Sequence, residues 1–108
     1  LATSIYDDDT DESLLPSKFS LSQNYPNPFN PTTTIEFSLP VAGPARIDVF
    51  NILGQRVTTL IDETLPAGNH ETQWHGRDRN GTSVASGVYF YRLTTEKYVK
   101  TKKMLLLK

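Results

Sequence analysis

The sequence contains no cysteine, which excludes disulfides, zinc–thiolate centres and cysteine nucleophiles. It has no apolar run approaching the roughly 18 residues that a membrane-spanning helix needs. Its opening, LATSIYDDDTDE, lacks the basic and apolar stretches of a secretory leader. The expectation is therefore a cytosolic protein, or a piece of a longer one whose leader lies upstream. Net charge is only −1, too small for bulk attraction to nucleic acid or to an anionic membrane. No amphipathic helical period and no internal repeat can be found. A hydrophobic content of 37% and an aromatic content of 10% fall below a well-filled globular average but above the disordered regime. At 108 residues, the length suits one domain with one modest core.

What is present is unevenly distributed. Leu1 to Leu15 carries five acids (Asp7, Asp8, Asp9, Asp11 and Glu12) and no base, whereas Lys97 to Lys108 carries five lysines and no acid. Residues 1–17, polar and without periodicity, read as an acidic flexible linker. From residue 18 to 108 the chain is punctuated by turn chemistry about every ten residues, and the intervals between turns alternate with the period of half-buried strands. Phe19 and Leu21 alternate with serines. Ile35, Phe37 and Leu39 alternate with Thr34, Glu36 and Ser38, and Ala45, Ile47 and Val49 with Arg46, Asp48 and Phe50. A turn over Asn51 to Gly54, with Gly54 at positive φ, leads to a strand over Gln55 to Ile61. His70, Thr72 and Trp74 mark a fifth strand after Pro66–Gly68, and Tyr89, Tyr91 and Leu93 a sixth after Gly87. The last runs from Tyr98 to Leu107. About seven short strands at this spacing predict an all-β fold, a seven-stranded antiparallel immunoglobulin-like β-sandwich.

Chemistry-bearing patterns are few. In DDDTDE, Asp7, Asp9 and Asp11 match the first ligand positions of an EF-hand loop. Glu12 stands where that loop needs glycine, however, and Lys18 where it needs a bidentate glutamate. A solvated linker is favoured over loose calcium binding. Asp78, Asn80 and Gly81 read as a hairpin turn rather than half a calcium loop. His70 and His75 lie five apart on one expected strand and so point to opposite faces. No GxSxG elbow frames a serine, and no carboxylate pair shares a strand face, so the expectation is a non-enzyme with no metal, no cofactor and no small-molecule substrate. Tyr25, Trp74, Tyr89, Tyr91 and Tyr98 are the residue types of a sugar platform, yet Trp74, Tyr89 and Tyr91 sit in strand periodicity and are expected in the core.

Two segments stand apart. YPNPFNP, Tyr25 to Pro31, puts three prolines into seven residues. Its missing donors exclude a central strand and predict a rigid extended strap between the first two strands. Phe29 would be its anchor in the core, with Asn27 and Asn30 satisfying nearby backbone groups. YVKTKKMLLLK turns from polar to apolar on both faces at once, so alternation does not fix which face is buried. Its lysines read either as the usual guard on an edge strand or as part of a docking strand for β-augmentation by a partner.

Taken in order, LSQNYPNPFNPTTTIEFSLP, DVFNILGQRV, LPAGNHETQW, ASGVYFYRL and the closing KKMLLLK closely resemble the type A C-terminal sorting domains of the type IX secretion system, from about Phe19 to Lys108. The immunoglobulin-like domain of flagellar hook-capping proteins is similar over the second half. The resemblance implies a non-catalytic module covalently part of a larger exported cargo protein that passes through the periplasm and across the outer membrane to the cell surface or medium. Its implied partners are the type IX translocon and a sortase-like peptidase that cuts in the linker. The residues it implies for sorting and translocon recognition are Lys102, Lys103, Met104, Leu105, Leu106, Leu107 and Lys108. Those implied as mainly structural family positions are Pro26, Asn27, Pro28, Phe29, Gly54, Gln55, Gly87 and Tyr89. Removal of Met104 to Lys108 is expected to abolish export while leaving the fold intact. The competing expectations are a structural or adhesive immunoglobulin-like spacer and a carbohydrate-binding module.

Overall fold

A computed structural model describes residues 15–108. Most of the expected acidic linker, residues 1–14, lies outside the described residues. Seven strands follow in chain order: β1 (Ser20–Leu21), β2 (Thr33–Leu39), β3 (Gly43–Phe50), β4 (Arg56–Leu65), β5 (Gly68–Trp74), β6 (Gly87–Thr95) and β7 (Val99–Leu106). Among the described residues there is no helix. Three strands form one sheet in the order β1-β2-β5, and four form the other in the order β4-β3-β6-β7. Every pairing within the two sheets is antiparallel. The result is the immunoglobulin-like sandwich that the alternation predicts.

The core follows from that alternation. Ile35, Phe37 and Leu39 of one sheet meet Ala45, Ile47, Val49, Tyr91 and Leu93 of the other, all buried. Each Ile, Leu, Val or Phe among them contributes about 1.5–3 kcal/mol when fully removed from water. Trp74 closes one end between Phe29 and Tyr89, at ring-centroid distances of 5.7 and 5.1 Å.

Two elements differ from expectation. The expected strand Gln55–Ile61 is observed as Arg56–Leu65 and continues through Asp62, Glu63 and Thr64. These exposed polar residues show no alternation, and they are strand because Gly43 to Arg46 of β3 pair with them and with Leu65. The proline segment is also not a straight strap. Tyr25 pairs with Thr34, by mutual backbone hydrogen bonds of 2.9 Å, so the eight residues between them, 26–33, close on themselves as a loop. The bonds preceding Pro26, Pro28 and Pro31 are all cis.

Candidate functional site

The order of the four-stranded sheet leaves β7 on its edge. Which face of β7 is buried, ambiguous in the sequence, is decided by its pairing with β6. Tyr89 stands opposite Met104, and Gly87 opposite Leu106. This turns Met104 (1% exposed) and Leu106 (0%) inward. Lys103, Leu107 and Lys108 are then exposed, and Lys102 and Leu105 half-buried.

On an antiparallel edge strand, alternate residues aim their backbone groups away from the sheet, and here these are the odd-numbered ones. The proline loop meets three of their groups, and Gln23 just before it meets a fourth. The Phe29 N–H donates to the Leu105 carbonyl at 3.0 Å, and the Leu107 N–H donates to the Phe29 carbonyl at 3.0 Å. The Leu105 N–H donates to Asn27 Oδ1 at 3.0 Å, and Gln23 Nε2 donates to the Lys103 carbonyl at 2.7 Å. Phe29 and Leu106 form a parallel bridge, and the Phe29 ring is buried at 2% exposure. The second half of β7 is thus covered. Among the described residues, none pairs with the outward backbone groups of Val99 and Thr101, so the edge left for β-augmentation is the first half.

A buried polar cluster, not anticipated from the sequence, holds the loop to the sandwich. Asn24 and Thr33 are almost fully buried. Asn24 Nδ2 donates to Thr33 Oγ1 at 2.9 Å and to the Pro26 carbonyl at 3.1 Å, and Thr33 Oγ1 donates to the same carbonyl at 2.8 Å. Tyr91 reaches the cluster from β6. Its hydroxyl accepts the Asn24 N–H at 2.8 Å and donates to the Ser22 carbonyl at 2.7 Å. Burial pushes this hydroxyl up to about 12, against a smaller opposing effect of the Asn24 N–H. Burial also pushes up Tyr89, whose hydroxyl donates to the Ala85 carbonyl at 2.7 Å. The signal for the cluster is an inward tyrosine in the alternation of β6, because a buried phenol needs a partner.

The remaining family positions are spread through the fold. Pro26, Pro28 and Asn27 are exposed on the loop. Gly54 has φ +81° with open space around it. Its turn is tied by Asn51 Oδ1, which accepts the N–H groups of Leu53 and Gln55 at 2.9 and 3.0 Å. Gly87 (φ +151°) opens β6 opposite Leu106.

The other candidates are not brought together. His70 contacts the Pro66 carbonyl at 2.7 Å and stacks on Phe37. His75 lies beyond the end of β5, against Thr32 Oγ1 at 3.0 Å. Asp78 Oδ1 accepts the N–H groups of Asn80 and Thr82 at 2.9 and 3.0 Å, which is turn chemistry in the loop between β5 and β6. Among the described residues no cluster of metal-ligating side chains forms, and the acidic run lies outside them. Trp74, Tyr89 and Tyr91 are in the core. Tyr25 projects alone at 79% exposure, and Tyr98 stacks on Phe19 at 5.4 Å, so the five aromatics do not line one surface.

The sequence profile of the secretion system C-terminal sorting domain family matches residues 23–107. No curated protein sequence matches the chain. Among solved structures, the fold resembles part of dimeric latent PorU from Porphyromonas gingivalis, with a TM-score of 0.66 at 15% identity over 85% of this chain and 10% of that one. It also resembles part of PorZ, an essential surface component of the type IX secretion system of the same organism, with a TM-score of 0.54 at 21% identity over 83% and 11% of the two chains. FlgD from P. aeruginosa aligns with a TM-score of 0.55 at 25% identity, over 68% of this chain and 57% of that one. The chain spans about a tenth of the length of PorU and PorZ.

Proposed function

We propose that this chain, which belongs to the secretion system C-terminal sorting domain family, is recognised along the β7 edge and the proline loop locked to it. The domain is a C-terminal secretion signal of the type IX system, and its cargo is a secreted or cell-surface protein. The observation that carries the proposal is the lock itself. Four outward backbone groups of Lys103, Leu105 and Leu107 are met by Gln23, Asn27 and Phe29, so the strand presents its side chains from a fixed frame. The groups offered to the translocon are Lys102, Lys103, Leu105, Leu107 and Lys108, together with the open backbone of Val99 and Thr101. Met104 and Leu106 hold the strand in place from the core. The module is non-catalytic. Passage runs through the periplasm, and a sortase-like peptidase then cuts in the segment before Phe19.

The test is a reporter carrying a periplasmic leader and fused to residues 1–108, produced in hosts with and without a working type IX apparatus. The native fusion is expected at the cell surface or in the medium only in the first host. A Lys103→Ala/Leu107→Ala/Lys108→Ala variant, altered only at exposed positions, is expected to fold normally and remain in the periplasm. Normal export of that variant would return the β7 edge to a purely structural role. Export independent of the apparatus would overturn the sorting function itself.

A further inference from the structure

The outer face of the four-stranded sheet collects charge that the composition hides. The chain contains five arginines, and four of them, Arg46, Arg56, Arg79 and Arg92, line one shallow groove there. The alternation of β3 turns Ala45, Ile47 and Val49 into the core and Arg46, Asp48 and Phe50 out to this face. Register then sets Arg56 and Phe90 beside Phe50, and Arg92 beside Asp48. The Arg92 guanidinium lies over the Phe50 ring, 4.5 Å from its centre, a cation–π contact that holds it at the groove floor. The loop between β5 and β6 delivers Arg79, whose backbone N–H donates to the Val57 carbonyl at 3.1 Å.

Among the described residues one acid lines the groove, and it is already engaged. Asp48 is 4% exposed. It accepts Arg46 Nε at 2.9 and 3.1 Å and Thr59 Oγ1 at 2.6 Å. Arg46 is balanced by it, and among the described residues Arg56, Arg79 and Arg92 have no ion-pair partner; they surround an aromatic floor, on a chain whose net charge is −1. Planar guanidinium groups grouped in this way suit carboxylates.

We infer that this groove receives the chain's own acidic tract, Asp7 to Glu12. Charge supports that occupant, with five carboxylates and no base in six consecutive residues. Reach supports it as well. Phe19 is stacked on Tyr98, next to Val99, which pairs with Thr94 at the rim of the groove. The eight residues from Asp7 to Leu15, where the described residues begin, span up to about 26 Å, whereas the four residues of β3 from Arg46 to Phe50 span only about 14 Å. Exposed ion pairs are individually weak, but a tether of this length holds the tract at an effective concentration of order millimolar. The docked tract is withheld from proteases, and salt releases it. The inference stands on charge and reach alone and does not depend on how β7 is recognised.

The experiment uses the full chain and reads the arginine Nε–Hε resonances by NMR. Replacing Asp7, Asp8, Asp9, Asp11 and Glu12 by Asn or Gln is expected to shift the signals of Arg56, Arg79 and Arg92. Arg77, outside the groove, is expected to stay put, and the difference should vanish at about 1 M salt, where screening reaches about 3 Å. In parallel, the Arg56→Gln/Arg79→Gln/Arg92→Gln variant is expected to lose its acidic tract to an acid-specific protease roughly threefold faster or more at low salt. Unchanged groove arginines in the neutralised chain, or an equal shift at Arg77, would overturn the inference. So would equal cleavage rates. Added poly-glutamate that moves the groove signals when neutralising the tract does not would assign the groove to an acidic partner in trans and likewise overturn the cis occupant.

Discussion

Tyr91 serves two environments at once. Its ring completes the core at 0% exposure, while its hydroxyl joins Asn24 and Ser22 at the root of the proline loop. Tyr91→Phe keeps the ring and removes both hydrogen bonds, leaving a buried N–H without its acceptor. This costs about 1–3 kcal/mol, measurable as a lower urea midpoint at unchanged m-value. The hydroxyl also gives the fold a pH dependence whose sign is fixed. In the unfolded chain a tyrosine ionises near pH 10, whereas in the folded protein burial holds Tyr91 up to about 12. The native state therefore retains a proton that the unfolded state has lost between those values. The stability Tyr91 contributes is complete below about pH 10 and falls away as pH rises towards about 12. Denaturant midpoints taken across that window should fall for the native chain, and that part of the fall should be missing from Tyr91→Phe. Identical slopes would show that the hydroxyl is not the titrating group.

At the scale of elements, β2, β3 and β6 were legible because their alternation is unbroken, and one buried face follows from the residue types alone. The β7 strand was not, since Met104, Leu105, Leu106 and Leu107 are apolar in succession and satisfy either face. Only the register with β6 selects Met104 and Leu106. The lock between β7 and the loop was hidden for a different reason. It consists mostly of backbone groups, with two side-chain amides, from Gln23 and Asn27. The residues it joins stand 80 and 78 positions apart, which local pattern does not report. Phe29 as an anchor was legible, because an aromatic between prolines has few reasons to be there other than burial. The lock predicts a split along one strand. In native-state hydrogen exchange, the Leu105 and Leu107 amides should be protected, and those of Val99 and Thr101 should exchange faster at the open edge. Asn27→Ala should accelerate Leu105 selectively while the Leu107 amide, held by the Phe29 carbonyl, stays slow. Uniform protection along β7 would mean that the open half has a partner of its own.

For the whole molecule, the position of Met104 and Leu106 revises what removal of the last five residues means. The sequence alone led us to expect a folded domain deprived of its signal. Two fully buried side chains leave with that segment, each worth about 2–5 kcal/mol on the scale of large-to-small core replacements. Gly87, Val88 and Tyr89 lose their partners in β6–β7 pairing, and Phe29 loses both of its backbone hydrogen bonds. Against a total stability of about 5–15 kcal/mol for a domain of this kind, the sum is enough to unfold it. The chain ending at Lys103 is therefore predicted to lose the near-ultraviolet dichroism of Trp74, whose ring rests on Phe29 and Tyr89, and to show no cooperative urea transition. Native-like dichroism with an unchanged midpoint would refute this and restore the truncation as a clean test of recognition. If the truncated chain is unfolded, its failure to be exported says nothing about what the translocon reads. That question then rests on Lys103, Leu107 and Lys108, whose exposed side chains can be changed without removing any residue from the core.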